Sequence, residues 1–515
     1  MSTTSWNGAT GDWSNAVDWS NGVPNSSTTD AVITASGSYT VSIGDPASSF
    51  AVGSLNLGAA GATLAVTGAL FVTGNFSQTA GTLHIIGPGP PPPAGYPNTL
   101  PGHKVVVNGG LVNKGQITID ALSFFVVDGN YTLANLGTIT NNGTLTLNGT
   151  LLNQGLTTTL GVGPLAGNTH IASIQGGTVI GDATTSREVG FNGITVLDGV
   201  TLQGQFNVGI YKVVNGLTVA PGAALTVGQN AGLEFSGSQT FDNTVLSLGG
   251  VSGSRSTRQA LVGTDSTLTL GAHLTIINAS TNGASTFAVL GETPPQFGSP
   301  NLPAGGVTVI NNGLIEAQSA GGFFTFNPSQ FVNNGSVQIS NKDTVALING
   351  LGQSLQSVLS GTGQFTLATG GVLNLQTVAA GQTIRFNDAT GVLRLDTPGA
   401  FKALIAGFAA GDTITLVATA ATSAKINASD QLVITNNGAA VARLQLSGNY
   451  SAATFKLASD GFGGEVITVS GGATAPAFAQ AIASFAGSGA GPVAASSHDV
   501  EATRGLSLAV SHSLH

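Results

Sequence analysis

Asn311-Asn312-Gly313-Leu314-Ile315-Glu316-Ala317 is followed, 22 positions on, by Asn333-Asn334-Gly335-Ser336-Val337-Gln338-Ile339. The same phrase occurs earlier, where Asn113-Lys114-Gly115-Gln116-Ile117-Thr118-Ile119 precedes Asn135-Leu136-Gly137-Thr138-Ile139-Thr140 by the same interval. Each copy joins a turn, Asn-x-Gly, to a short stretch of alternating polar and apolar residues. A turn plus a short strand, repeated near one period, is one step of a β-solenoid.

Alternation recurs at residues 143–147, 224–227, 267–270, 371–375 and 391–395. Period-2 placement sends Leu, Ile and Val to one side of each strand and Thr, Asn, Gln and Arg to the other. The interval varies: Asn135 to Asn153 is 18 residues and Gly371 to Gly391 is 20, which predicts loops of changing length. Stacked strands lie about 4.8 Å apart, so on the order of 15 steps would span roughly 70 Å. Asparagines at equivalent turns are expected to stack amide on amide, satisfying polar groups inside the stack.

Composition agrees with an all-β chain. Charged residues make up 7% of the 515, against about 25% in ordinary globular proteins. Hydrophobic residues are 41%, and much of the remainder is Gly, Thr, Ser and Asn, which suit strands and turns better than helix interiors. The 75 glycines follow no Gly-X-Y register, which excludes collagen. Net charge is -9 with no basic stripe, so no nucleic-acid partner is expected. No apolar run reaches the ~18–20 residues that would span a bilayer. The absence of cysteine fits an exported protein that matures without disulfides. Residues 1–8 carry neither a basic nor an apolar region; no Sec signal is read there, and an export address is expected elsewhere.

Four segments are expected. Residues 1–48 hold all three tryptophans, Trp6, Trp13 and Trp19, among tight Gly and Asn turns. They predict an N-terminal cap over an open solenoid end; the alternative is a carbohydrate-binding aromatic platform. Residues 49–396 form the parallel β-helix (β-solenoid) array, interrupted by proline-rich excursions at 87–95 and 291–303, where proline cannot donate to a ladder. Residues 397–472, with hairpin signals at Asn436-Asn437-Gly438 and Asp460-Gly461, predict a C-terminal antiparallel β module. Residues 473–515 predict a short amphipathic helix through Phe478, Ile482 and Phe485, then a tail that is a candidate export signal.

The Trp-rich opening, the Asn-Gly strand repeats, Gly407-Phe408-Ala409-Ala410-Gly411-Asp412-Thr413-Ile414-Thr415-Leu416 and the closing stretch 457–464 resemble bacterial β-strand-repeat exoproteins. These are similar to autotransporter passengers and large adhesins. The resemblance implies a β-helical fold and a secreted or cell-surface location. No C-terminal translocator barrel accompanies it, so type I secretion is the route it implies. It supplies no substrate.

Chemistry is sparse. The tandem Gly-Gly-x-Gly-x-Asp repeats of calcium coils are absent. The seven histidines, His84, His103, His170, His273, His498, His512 and His515, are scattered, so no metal site and no cofactor is expected. His84 and His273 occupy polar positions and are expected to face solvent. Asp182, Arg187 and Glu188 form the densest charged cluster and are the catalytic candidates, for cleaving a polysaccharide; the plainer role is a surface ion pair or turn cap. Arg255 and Arg258 sit in another polar loop. The reading is an extracellular structural or adhesive solenoid, not an enzyme, with polysaccharide or other surface components as partners. A polysaccharide lyase or hydrolase is the second reading. A self-associating filament or surface-layer subunit is the third.

Overall fold

The computed structural model describes residues 2–88, 103–181, 195–248, 258–264, 266–278, 287–292, 306–347 and 358–471. All of them fall within one compact unit, Met1–Ala475. Among the described residues the fold is all-β, with 58% in strands and 3% in helices, and its sheets are mostly parallel.

The interval read from the sequence is the pairing register. Gln116–Ile119 pairs in parallel with Thr138–Asn141, Ile117 opposite Ile139. Leu314–Ala317 pairs with Ser336–Ile339, Ile315 opposite Val337, and Asn311 lies opposite Asn333. The 20-residue interval behaves alike, with Val372 opposite Val392. Parallel neighbours need a long connection between them, and between Leu314–Ala317 and Ser336–Ile339 two other strands fill it. Strands 314–317, 323–326 and 330–333 each join a different ladder, and strands 336–339, 344–347 and 358–360 then extend the same three in order.

Alternation places the core. Ile276, Ile315, Val337, Phe365, Ile384 and Ile405 succeed one another along one ladder, and all are fully buried. Each such side chain stabilises the fold by about 1.5–3 kcal/mol on burial. The motif glycine has its own reason. A β-carbon on Gly335 would strike the backbone of Asn312 and Gly313 in the preceding step, so only glycine fits this close approach.

The asparagine stack forms at one repeat and not the other. Asn311 Nδ2 donates to Asn333 Oδ1 at 2.9 Å in a buried contact. Asn333 Nδ2 in turn donates to Gln382 Oε1 at 3.2 Å. Asn135 does not stack on Asn113, because it lies in the helical turn Leu133–Leu136, capped by Thr132. Asn113 Nδ2 donates instead to the carbonyls of Leu136 and Thr138, at 2.8 and 3.1 Å. The 18-residue step from Asn135 to Asn153 is likewise no register; Tyr131 bridges Leu151 there, at an interval of 20.

Parallel pairing extends beyond both boundaries drawn from the sequence. Ser2–Ser5 already pairs with Thr29–Ile33. Its other edge is covered by residues 18–22: Ser20 N donates to Ser5 O, Asn7 N to Asp18 O and Thr4 Oγ1 to Gly22 O. A covered edge cannot template a foreign strand. Beyond residue 396, Leu404–Ala406 and Thr413–Leu416 still pair in parallel with Thr383–Phe386 and Val392–Leu395. Antiparallel pairing begins with Ser423–Ile426 against Gln431–Asn436, and Glu465–Ser470 lies antiparallel on Thr413–Leu416. The hairpin signal at Asn437-Gly438 is a two-residue turn with φ of 49° and 87°, as primed turns require. The expected helix after residue 473 and most of both proline-rich stretches lie outside the described residues.

Candidate functional site

One outer surface carries regular columns of mostly polar side chains, broken only by Ala65 in the second. Thr40, Thr63, Thr82, Gln116 and Thr138 are successive register partners. Beside them run Ser42, Ala65, His84, Thr118 and Thr140. The residues between the columns, Val41, Leu64, Leu83 and Ile117, are fully buried, so strand alternation turns both columns outward. Neighbours in a column recur about every 4.8 Å, and each hydroxyl both donates and accepts. Gln116 Nε2 donates to Thr140 Oγ1 at 3.0 Å, tying the columns together.

At one rim of this surface His84 Nε2 lies 3.0 Å from Asp120 Oδ2, each side chain 36% exposed. His84 was expected to face solvent; it is half-buried, and a residue 36 positions away engages it. Asp120 Oδ2 also accepts from Gly87 N at 3.4 Å. Next to it, buried His103 places Nδ1 2.7 Å from Ile86 O. Ile86 N and His103 N donate to Val66 O and Thr67 O, consecutive residues of the preceding step. Ile86 and His103 therefore both hydrogen-bond to the same preceding step. A His-Asp pair invites the search for a nucleophile. Ser123 is fully buried, and its hydroxyl donates to Asp120 O at 2.6 Å, so it cannot serve.

The residues singled out from the sequence fare differently. Asp182, Arg187 and Glu188 lie outside the described residues, as does Arg255; Arg258 opens the strand Arg258–Thr264. Trp6, Trp13 and Trp19 are 3%, 0% and 4% exposed. Their rings pack edge to face at 5.0 and 4.8 Å. Each indole N–H donates to a carbonyl, those of Ala9, Pro24 and Trp13 respectively. A sugar platform needs an open ring face, and none of the three has one. His273 is exposed and rests against Asp242.

Buried acids are the polar feature that sequence reasoning passed over. Asp343 is fully buried and accepts from Ser319 N at 3.0 Å and Thr344 N at 2.8 Å. Burial pushes its carboxyl up to about 7, opposed by those two N–H groups. Asp412, also fully buried, accepts from Gly391 N and Ala409 N, and burial raises it to about 6. Both cap turns that enter a strand, and the shared phrase Asp-Thr-apolar marks the position. Backbone donors occupy their oxygens, so neither is an acid presented to substrate. Glu234, 5% exposed, is raised by burial and lowered by Lys212, whose Nζ lies 3.8 Å away. Among the described residues no three His, Cys, Asp or Glu side chains gather as metal ligands, and no helix is long and apolar enough to cross a membrane. No family model matches the sequence, and no curated protein matches it.

Proposed function

We propose that the chain winds as a β-solenoid and serves as a structural or adhesive element of a bacterial surface, contacting polysaccharide through its outward hydroxyl and amide columns. The observation that carries this reading is the in-register stacking of Thr40, Thr63, Thr82, Gln116 and Thr138. A glycan chain lying along such a column meets a hydroxyl or an amide at every step. Single hydrogen bonds contribute only about 0.5–1.5 kcal/mol net, so adhesion would arise from many of them acting together. The likeness of the two chain ends to secreted β-strand-repeat proteins supports an extracellular location. Assembly end to end by strand pairing is disfavoured at the N-terminal edge, which residues 18–22 cover.

The test is a glycan array probed with the full chain and with the double variant Thr63→Val, Thr82→Val. Valine keeps the β-branched shape and removes the hydroxyl. Retention of a polysaccharide by the native chain, weakened on the order of tenfold (~1.4 kcal/mol) in the variant, is the expected outcome. Equal binding by both, or none by either, would sink the proposal. Release of new reducing ends or unsaturated sugars would replace it with a polysaccharide-cleaving enzyme.

A further inference from the structure

A different outer surface breaks the polar rule. Ser49–Val52, Ala69–Val72, Lys104–Val107, Phe124–Val127 and Thr144–Leu152 follow one another along a single ladder. Leu70, Val72, Val105, Val107, Phe125 and Val127 point inward and are fully buried. The outward column between them reads Ala51, Phe71, Val106, Val126, with no polar atom until Thr146. Beside it Phe124 is 46% exposed, and Leu122 in the preceding turn is 55% exposed. The one cation here, Lys104, lays its Nζ 5.1 Å over the Phe71 ring. Elsewhere apolar residues in outward columns are interrupted sooner: Ile310 and Val332 stand between Thr269 and Ser360, and Val372 and Val392 between Thr344 and Thr413. A contiguous apolar patch on a sheet face marks a contact surface.

We propose that a second copy of this chain docks on this face through a two-fold axis running along the strands between Lys104–Val107 and Phe124–Val127. Face-to-face sheets pack about 10 Å apart, with strands within about 30° of each other. That axis exchanges the two strands. Val106 then meets Val126 of the second copy, and Lys104 meets its Phe124. Asn108, just past one strand end, meets Asp128, just past the other; both are exposed. No charge faces a like charge. The ammonium, already held against one aromatic ring, gains a second, and the carboxylate gains an amide donor. A polysaccharide would find few hydrogen-bond partners in the Val and Phe column, so the patch selects an apolar, self-complementary surface. An isologous dimer uses one patch twice.

Analytical ultracentrifugation of the full chain from roughly 1 to 100 μM tests this. The native chain should sediment as a dimer within that range. Val126→Glu sets a carboxylate against Val106 of the other copy and should weaken dimerisation at least ~100-fold. Its circular dichroism should stay unchanged. Lys104→Glu, which keeps the strand intact and removes the cation from Phe124, guards against a folding defect and should weaken the dimer independently. A native chain that stays monomeric throughout the range, or a Val126→Glu variant that dimerises as well as the native chain, would overturn the assignment.

Discussion

Asp343 shows how one side chain can set the pH response of a chain with few charges. Its ordinary value is 3.8, and burial in the fold lifts it to about 7. A carboxyl raised on folding favours the folded state in its protonated form. The stabilisation is therefore complete below about pH 4 and is lost as pH climbs through about 7. Asp412 adds the same sign over a window that closes near 6. In Asp12, Asp242 and Asp388 burial raises the carboxyl, but hydrogen bonds from neighbours, joined at Asp242 by the His273 charge, outweigh it and lower the net value. These three therefore pull the other way, but only at acid pH. Between pH 5 and 8 the buried pair dominates. Melting temperature should fall across that range, by a change in stability of a few kcal/mol at most, and the slope should be shallower in Asp343→Asn. An unchanged slope in that variant would remove Asp343 as its source.

At the scale of elements, the first fifty residues are held by a cluster rather than by a ladder alone. Trp13 is fully buried, packs on Trp19 at 4.8 Å and approaches Phe50 at 6.1 Å. Its N–H donates to Pro24 O, which pins the segment that covers the Ser2–Ser5 edge. Trp13→Ala should cost about 3–5 kcal/mol locally. In repeat architectures stability is distributed between neighbouring units. Hydrogen exchange should therefore quicken in Ser2–Ser5 and Thr29–Ile33 and stay unchanged in Val372–Leu375. Uniform acceleration along the chain would mean that the tryptophans support more than their own end. The indoles also show where sequence reading divides: their turns pointed inward to a cap, yet flat aromatics in a row left a sugar platform as the alternative. Only the burial of all three separates the alternatives.

For the whole molecule, the solenoid proposal has a test in chain length. Residues 314–335 hold one strand of each of three ladders. Deleting those 22 residues joins Gly313 to Ser336 and leaves every remaining strand a partner in register. The shortened chain should keep its β circular dichroism per residue and melt cooperatively. Deleting only 314–324 breaks the register and should abolish folding. Equal tolerance of both deletions would argue against a repeating parallel winding.

What the sequence determined by itself is the step: short alternating strands, with the 22-residue interval of the two best repeats equal to the register. That information is local, because alternation and turn chemistry are written within a few consecutive residues. The ends of the ladders were less legible, since Leu404–Ala406 and Thr413–Leu416 differ little in pattern from the antiparallel strands that follow. Tertiary structure alone decided the fate of the polar residues. Asn278 reaches Asp343 across 65 positions, and His84 meets Asp120 across 36. The outward-facing, half-buried apolar column of Phe71, Val106 and Val126 is assembled from three separate strands. Such contacts depend on which steps become neighbours after loops of unequal length, a distance that no short pattern encodes.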